Sequence, residues 1–313
     1  MEIMEVAKLM TDVDEDSKNT LNALSKKELI IGAHMPIGGG FAKVPRETVE
    51  IGGNAFQIFP HNPRQWAARM PSDDDVVHFL RDVKKYELNP EYFMCHSGYL
   101  INIASTKDDV WEKSVELLEL EMKICAKLGI KYLNIHPGSH LGAGEASGIE
   151  KITTALNIVF KKEKTVSILL ENVVKKGGNI GYNYAQMRKI IEGCEQPDRI
   201  GLTFDTCHGY DAGYDVTDPS GVQRLYEEIE REVGIKRLKF IHLNDTKNVF
   251  GSQKDRHENI GNGNIGLEGF KVFLSNHTFS STPLILETPG DNSEHAQDIA
   301  KVKEIYQSIA YNH

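Results

Sequence analysis

Tyr132-Leu-Asn-Ile-His136 is an apolar run of strand length that stops on a histidine, and five other runs share its form. They are Tyr92-Phe-Met-Cys-His96, Ile168-Leu-Leu-Glu171, Gly201-Leu-Thr-Phe-Asp205, Leu238-Lys-Phe-Ile-His242 and Leu284-Ile-Leu-Glu287. A strand buried on both faces reads as a continuous apolar stretch of about 4–8 residues and ends where the chain meets water. Each of these ends on a side chain that can ligate a metal. One rim of one sheet would then carry three histidines and three carboxylates. That is the layout of a metal site at the mouth of a barrel.

Working outward, Leu29-Ile-Ile-Gly-Ala-His34 and Ala55-Phe-Gln-Ile-Phe59 supply two earlier strands, eight in all. Amphipathic patterns alternate with them. The clearest is Asp108–Leu128, where Trp111, Val115, Leu118, Leu120 and Met122 interleave with Glu and Lys and Gly129 closes the helix. Others cover 74–86, 149–160, 184–192, 221–233, 267–274 and 294–309. Strand–helix alternation repeated in this way predicts parallel strands joined by right-handed crossovers. The expectation is an α/β protein, a single (β/α)8 TIM barrel over 29–313 with its metal site at the C-terminal rim of the strands. Residues 1–28 are polar and acidic, with Asp12-Val-Asp-Glu-Asp16 at their middle, and read as an extension with a short helix at 16–25.

At 313 residues and 40% hydrophobic content the chain suffices for one large core. No apolar run approaches the roughly 20 residues that span a bilayer. Met1-Glu-Ile-Met-Glu-Val lacks a basic segment leading into an apolar one, so an intracellular, soluble protein without secretory signal is expected, a monomer by default. Cys95, Cys125, Cys194 and Cys207 form no C-x-x-C pair and no disulfide framework. Only Cys207, between Asp205 and His208, is placed to reach a metal, and harder ligands already cover that position. The net charge of −9 does not exclude a polyanionic substrate, because local potential and bound cations decide that question.

Two further segments enrich the rim. After Asp205 the chain turns through Thr206-Cys207 to His208, about one turn on, and Lys254-Asp-Arg-His257 follows the seventh strand in a Gly-rich loop. In an extended loop Asp255 and His257 share a face while Arg256 points away. His208, Asp255 and His257 would hold one ion with open positions, as a catalytic site requires. His96 and His136 with a carboxylate would take another. Glu171, Asp205, His242 and Glu287 would take a third, with Glu171 bridging. Mixed imidazole and carboxylate suits Zn²⁺ or Mn²⁺ better than Mg²⁺. Taken singly, a strand-end histidine is more often a hydrogen-bonded core residue, and a strand-end carboxylate often caps the next helix. Coincidence at six strand ends argues for a polynuclear site. His78, His277, His295 and His313 read as surface residues, and His34 and His140 as partners of the ligands.

With those residues in view, the chain resembles the endonuclease IV family of abasic-site endonucleases. The matching stretches are Gly32-Ala-His34, Arg64-Gln-Trp66, Tyr99-Leu-Ile-Asn102, His136-Pro-Gly-Ser139, Glu171-Asn172, Asp205-Thr-Cys-His208, Ala212-Gly-Tyr-Asp215 and His242-Leu-Asn-Asp245. Asp255-Arg-His257, Gly261-Asn-Gly-Asn-Ile-Gly266 and Leu286-Glu-Thr-Pro289 continue the series in order.

The resemblance implies three zinc ions, with Mn²⁺ as an option at one site. His96, His136 and Glu171 would hold the first, Glu171, Asp205, His242 and Glu287 the second, and His208, Asp255 and His257 the third. It also implies a DNA repair enzyme that cuts duplex DNA 5′ to abasic sites, leaving a 3′-hydroxyl and a 5′-deoxyribose phosphate, and that trims blocked 3′ ends. Glu287 or Glu171 would orient the hydroxide that attacks phosphorus. Arg64, Gln65, Tyr99 and Leu100 occupy loops where the family wedges open its duplex, and Arg256 suits a phosphate. The sequence departs at Val173-Val-Lys-Lys-Gly177, where small neutral residues are expected. Two rivals remain: a sugar isomerase or epimerase of the same barrel type, and a non-catalytic binder of damaged DNA with structural zinc.

Overall fold

The computed structural model describes residues 28–310; the extension's expected helix at 16–25 and His313 lie outside them. Eight parallel strands close into a barrel: β1 (Ile31–His34), β2 (Ala55–Ile58), β3 (Phe93–His96), β4 (Tyr132–Ile135), β5 (Ser167–Glu171), β6 (Ile200–Asp205), β7 (Leu238–His242) and β10 (Leu284–Leu286). They neighbour one another in chain order, and β10 pairs with β1 to close the ring. A hairpin of two-residue strands, β8 (Asp245–Thr246) and β9 (His257–Glu258), stands beyond the rim. All eight expected barrel strands are present. No sequence pattern announces the hairpin, because two residues carry no readable period.

The helices are α1 (Val44–Glu50), α2 (Asp73–Lys85), α3 (Asp108–Leu128), α4 (Glu145–Lys162), α5 (Tyr184–Gly193), α6 (Thr206–Ala212), α7 (Pro219–Glu232), α8 (Gly266–Leu274), α9 (His277–Ser281) and α10 (Asn292–Ala310). The long ones follow the apolar periodicity, and α3 has the expected bounds. It stops at Gly129, whose φ of 71° is the left-handed conformation that glycine adopts without a Cβ penalty. At the start of α2, Ser72 Oγ accepts from Asp75 N at 3.1 Å, and three aspartates occupy the first turn against the helix dipole. The helices missed by periodicity are α1, α6 and α9, each seven residues or shorter.

Two apolar clusters carry the packing. The larger lies between strands and helices. The smaller takes one residue from each of five strands, Ala55, Met94, Leu169, Phe240 and Ile285, and plugs the interior of the barrel. At Gly32 a Cβ would sit 1.6 Å from the Ala55 carbonyl oxygen, so only glycine lets β1 approach β2 this closely. That pairing sets His34 opposite Gln57 at the rim.

Candidate metal centre

Short strands deliver the ligating side chains. His96, Glu171, Asp205 and His242 are the last residues of β3, β5, β6 and β7, and His136 and Glu287 directly follow β4 and β10. Register places Asp205 opposite His242. Asp205 combines the two roles weighed for strand-end carboxylates. Its Oδ1 caps α6 by accepting from His208 N at 2.8 Å, while Oδ2 lies 3.8 Å from His242 Nδ1 and 3.6 Å from His257 Nε2.

The expected groupings recur as geometry. Ligand-capable atoms of His96, His136 and Glu171 lie within 4.8 Å of one another, as do those of His208, Asp255 and His257, and those of Glu171, Asp205, His242 and Glu287. Glu171, fully buried, links them: Oε2 is 3.2 Å from His96 Nε2 and 3.3 Å from His136 Nε2, and Oε1 is 3.2 Å from His242 Nδ1. Its Oε1 also lies 3.1 Å from His208 Nδ1. His208 Nε2 stands 3.2 Å from Asp255 Oδ2, and Asp255 Oδ1 3.6 Å from His257 Nε2.

Hydrogen bonds turn the histidine lone pairs inward. His96 Nδ1 donates to Ser97 O at 2.9 Å, His208 Nδ1 to Asn172 O at 3.0 Å and His257 Nδ1 to Glu287 O at 3.1 Å. Each leaves Nε2 facing the cavity, the arrangement that metal-ligating histidines show. Glu171 Oε1, His242 Nδ1 and His257 Nε2 are buried without a hydrogen-bond partner among the described residues. A buried polar atom left unpaired costs about 1–3 kcal/mol; Glu171 and His242 belong to one ligand cluster and His257 to another, which fits a cation in each.

Charge is concentrated here. Burial lowers His242, but the carboxylates of Glu287 and Glu171 overturn this and raise it to about 9. Burial likewise opposes ionisation of Glu171 and Glu287, yet the His242 charge among others holds both well below the carboxylate range. Asp255, against its own desolvation, is drawn to about 2, chiefly by His208. At His34 burial prevails and lowers the imidazole.

Several contributors escaped the sequence reading. Asn244 Nδ2 donates to Asp205 Oδ2 at 2.7 Å, and its Oδ1 accepts from Glu287 N at 2.7 Å. Asp245 gathers the amides of Gly261, Gly263 and Ile265, each at 3.0 Å, and so shapes the Gly-rich loop behind His257. Gln57, fully buried, bonds to His242 and Glu287. His295, expected at the surface, is buried: it lies in the first turn of α10, and its Nε2 donates to Thr288 O at 3.0 Å. His140 partners no ligand; its Nδ1 accepts from Gly142 N and Gly144 N and shapes the loop into α4. Cys207 shares a possible group with Asp205 and His257, but burial pushes its thiol far up, which disfavours the thiolate.

A cavity of about 370 Å³ opens over these residues, lined among others by His34, Phe59, Tyr99, Glu287 and His295. Around it Arg64, Gln65, Tyr99 and Arg256 are exposed and Leu100 half-buried. Tyr99 N donates to Pro63 O at 2.9 Å, so the loops bearing Arg64 and Tyr99 are joined. Lys175 and Lys176 are exposed at the rim of β5. Among the described residues no helix is long and apolar enough to cross a membrane.

The sequence pattern of the family described as a xylose isomerase-like TIM barrel matches residues 45–309. The "Probable endonuclease 4" of Thermosipho melanesiensis is 60% identical over 275 residues, 88% of this chain and 97% of that protein. The crystal structure of endonuclease IV from Thermus thermophilus superposes with a TM-score of 0.78 at 29% identity, covering 89% of this chain and 99% of that one. A D-tagatose 3-epimerase-like protein superposes at 0.69 with 17% identity over 90% and 99%, a likeness of fold alone. Fold and rim define a barrel of the xylose isomerase-like class. Within that class, the chain belongs to the endonuclease IV family.

Proposed function

We propose that the chain is a zinc-dependent DNA repair endonuclease. It hydrolyses the phosphodiester 5′ to abasic sites in duplex DNA, leaving a 3′-hydroxyl and a 5′-deoxyribose phosphate, and trims blocked 3′ ends. The observation that carries this reading is the set of three ligand clusters joined through Glu171 at the base of one open cavity. His96, His136 and Glu171 would hold one zinc, Glu171, Asp205, His242 and Glu287 a second, and His208, Asp255 and His257 a third. Mn²⁺ suits the same donors at one site. When bound, these ions supply a polarised phosphoryl oxygen, an acidified water and charge neutralisation at the leaving oxygen.

The chain's own groups do the rest. Glu287 reaches the cavity, with its backbone N–H fixed by Asn244 and its Oε1 engaged by Gln57. Its Oε2 orients the attacking water and takes its proton. Glu171 is buried deeper and serves the ligand set more than the proton. Arg256 contacts a phosphate beside the reacting one, and Arg64, Gln65, Tyr99 and Leu100 fill the space vacated when the abasic sugar leaves the stack. The barrel from Leu29 onward acts as one catalytic domain and as a monomer inside the cell, with residues 1–28 outside it.

An epimerase reading leaves the clusters around His96 and around Asp255 without a task, and a structural-zinc binder conflicts with an open rim lacking a cysteine cluster. The test is cleavage of a duplex bearing one tetrahydrofuran abasic analogue, with metal content measured on the same sample. A cut 5′ to the analogue with a 3′-hydroxyl end, from protein holding close to three metals, is expected. No cut from fully metallated protein would overturn the reading.

A further inference from the structure

Gln57 touches three groups of the centre from outside the ligand set. Its Oε1 accepts only, and it lies 2.8 Å from His242 Nε2, so that ring nitrogen carries the proton. Its amide nitrogen donates only. One N–H goes to Glu287 Oε1, and the same nitrogen lies 2.7 Å from His34 Nδ1, which must therefore accept. The reverse amide orientation would set Gln57 Oε1 against the Glu287 carboxylate, two acceptors face to face, and is excluded on charge. Glu287 Oε1 stands farther from His34 Nδ1, at 3.5 Å, than the Gln57 amide nitrogen does at 2.7 Å.

Two consequences follow. With a cation bound in place of the second proton, the His242 Nδ1 lone pair would face the space among Glu171, Asp205 and Glu287, which lie at 3.2, 3.8 and 3.2 Å. His34, with Nδ1 occupied as an acceptor, carries its proton on Nε2. That atom is buried, without a hydrogen-bond partner among the described residues, and the ring lines both the 370 Å³ cavity and an adjoining one of about 620 Å³.

We infer that Gln57 is a positioning residue of the metal centre that sets the tautomers of both His242 and His34. No sequence pattern announces the pair, since His34 and Gln57 meet only through the β1–β2 register.

The assignment is tested on the zinc-loaded protein by ¹⁵N–¹H correlation of the histidine rings, with no substrate present. Protons on Nε2 of both His34 and His242 are expected. A proton on Nδ1 of His34 overturns the proposal. In Gln57→Met, an apolar side chain of similar length, His34 should show both tautomers and zinc should be stripped by chelator about 10–100-fold more readily. Unchanged tautomers and zinc retention in that variant would count against it. Should the variant not fold, the wild-type spectrum still decides.

Discussion

His61 Nε2 donates to Glu121 Oε1 at 2.7 Å, a buried pair beneath the loops that carry Arg64, Gln65, Tyr99 and Leu100. The same oxygen accepts from Gly98 N at 2.9 Å, so one carboxylate on α3 anchors the end of the β3 loop to the β2 loop. Burial raises the Glu121 carboxyl, and His61 and the Gly98 amide pull it back. Glu121→Ala would strand both donors in an apolar setting, at a cost of about 2–3 kcal/mol in a denaturant titration. It should also weaken binding of an abasic duplex while metal content stays the same. Unaltered duplex affinity would mean that these loops need no such anchor.

Tyr99 is 64% exposed, and its ring meets Phe59 edge to face at 5.3 Å between centroids. An exposed aromatic at the mouth of the cavity buries little in the free protein. Tyr99→Ala should therefore change stability by less than about 0.5 kcal/mol. Loss of a stacking surface is worth about 1–3 kcal/mol per base. Fluorescence anisotropy with an abasic duplex should show roughly a tenfold or larger rise in Kd. Wild-type Kd in the variant would remove Tyr99 from the DNA contact.

Glu287→Gln keeps the shape of the side chain and its backbone anchor to Asn244, but removes the charge. Turnover on the tetrahydrofuran duplex should fall by at least about a hundredfold, the scale of a lost general base. Duplex binding should remain measurable. Cleavage at the wild-type rate would sink the role given to Glu287.

Far from the rim, Glu163 at the end of α4 accepts from Thr165 N at 2.8 Å and Val166 N at 2.7 Å and pairs with Arg199 at 3.1 Å. Burial opposes ionisation, but these donors win and hold its carboxyl below the usual value of 4.5. A depressed folded-state pKa means stability that is present above about pH 4.5 and lost as pH falls through the lower value. Glu163→Gln turns a donor toward donors and should cost about 2 kcal/mol at neutral pH. The gap between wild type and variant should narrow in urea titrations below about pH 4.5. A gap independent of pH would show that charge at Glu163 contributes nothing.

The barrel and its ligand clusters were legible in the sequence for one reason. In a parallel barrel each strand is buried on both faces and stops at the rim, so Leu238-Lys-Phe-Ile-His242 states in one stretch both the strand and the residue it delivers. The long helices were legible through their apolar period, as in Asp108–Leu128. The order of chain segments around the ring followed from right-handed crossovers between parallel strands.

Tertiary structure alone decided what stands behind the ligands. Gln57 reads as an ordinary residue inside a strand until register sets it opposite His34 and the closed ring brings it against His242. Glu121 lies on a helix full of glutamates, and only packing against His61 and Gly98 marks it off. Asp245 needed the hairpin and the returning Gly-rich loop, and His295 needed its contact with the Thr288 carbonyl. Sequence by itself determined the strands and the donors they end on, because burial on two faces writes a local pattern. The hydrogen bonds that orient those donors join residues up to 230 positions apart, as between Gln57 and Glu287, and no local pattern encodes a contact that only barrel closure creates.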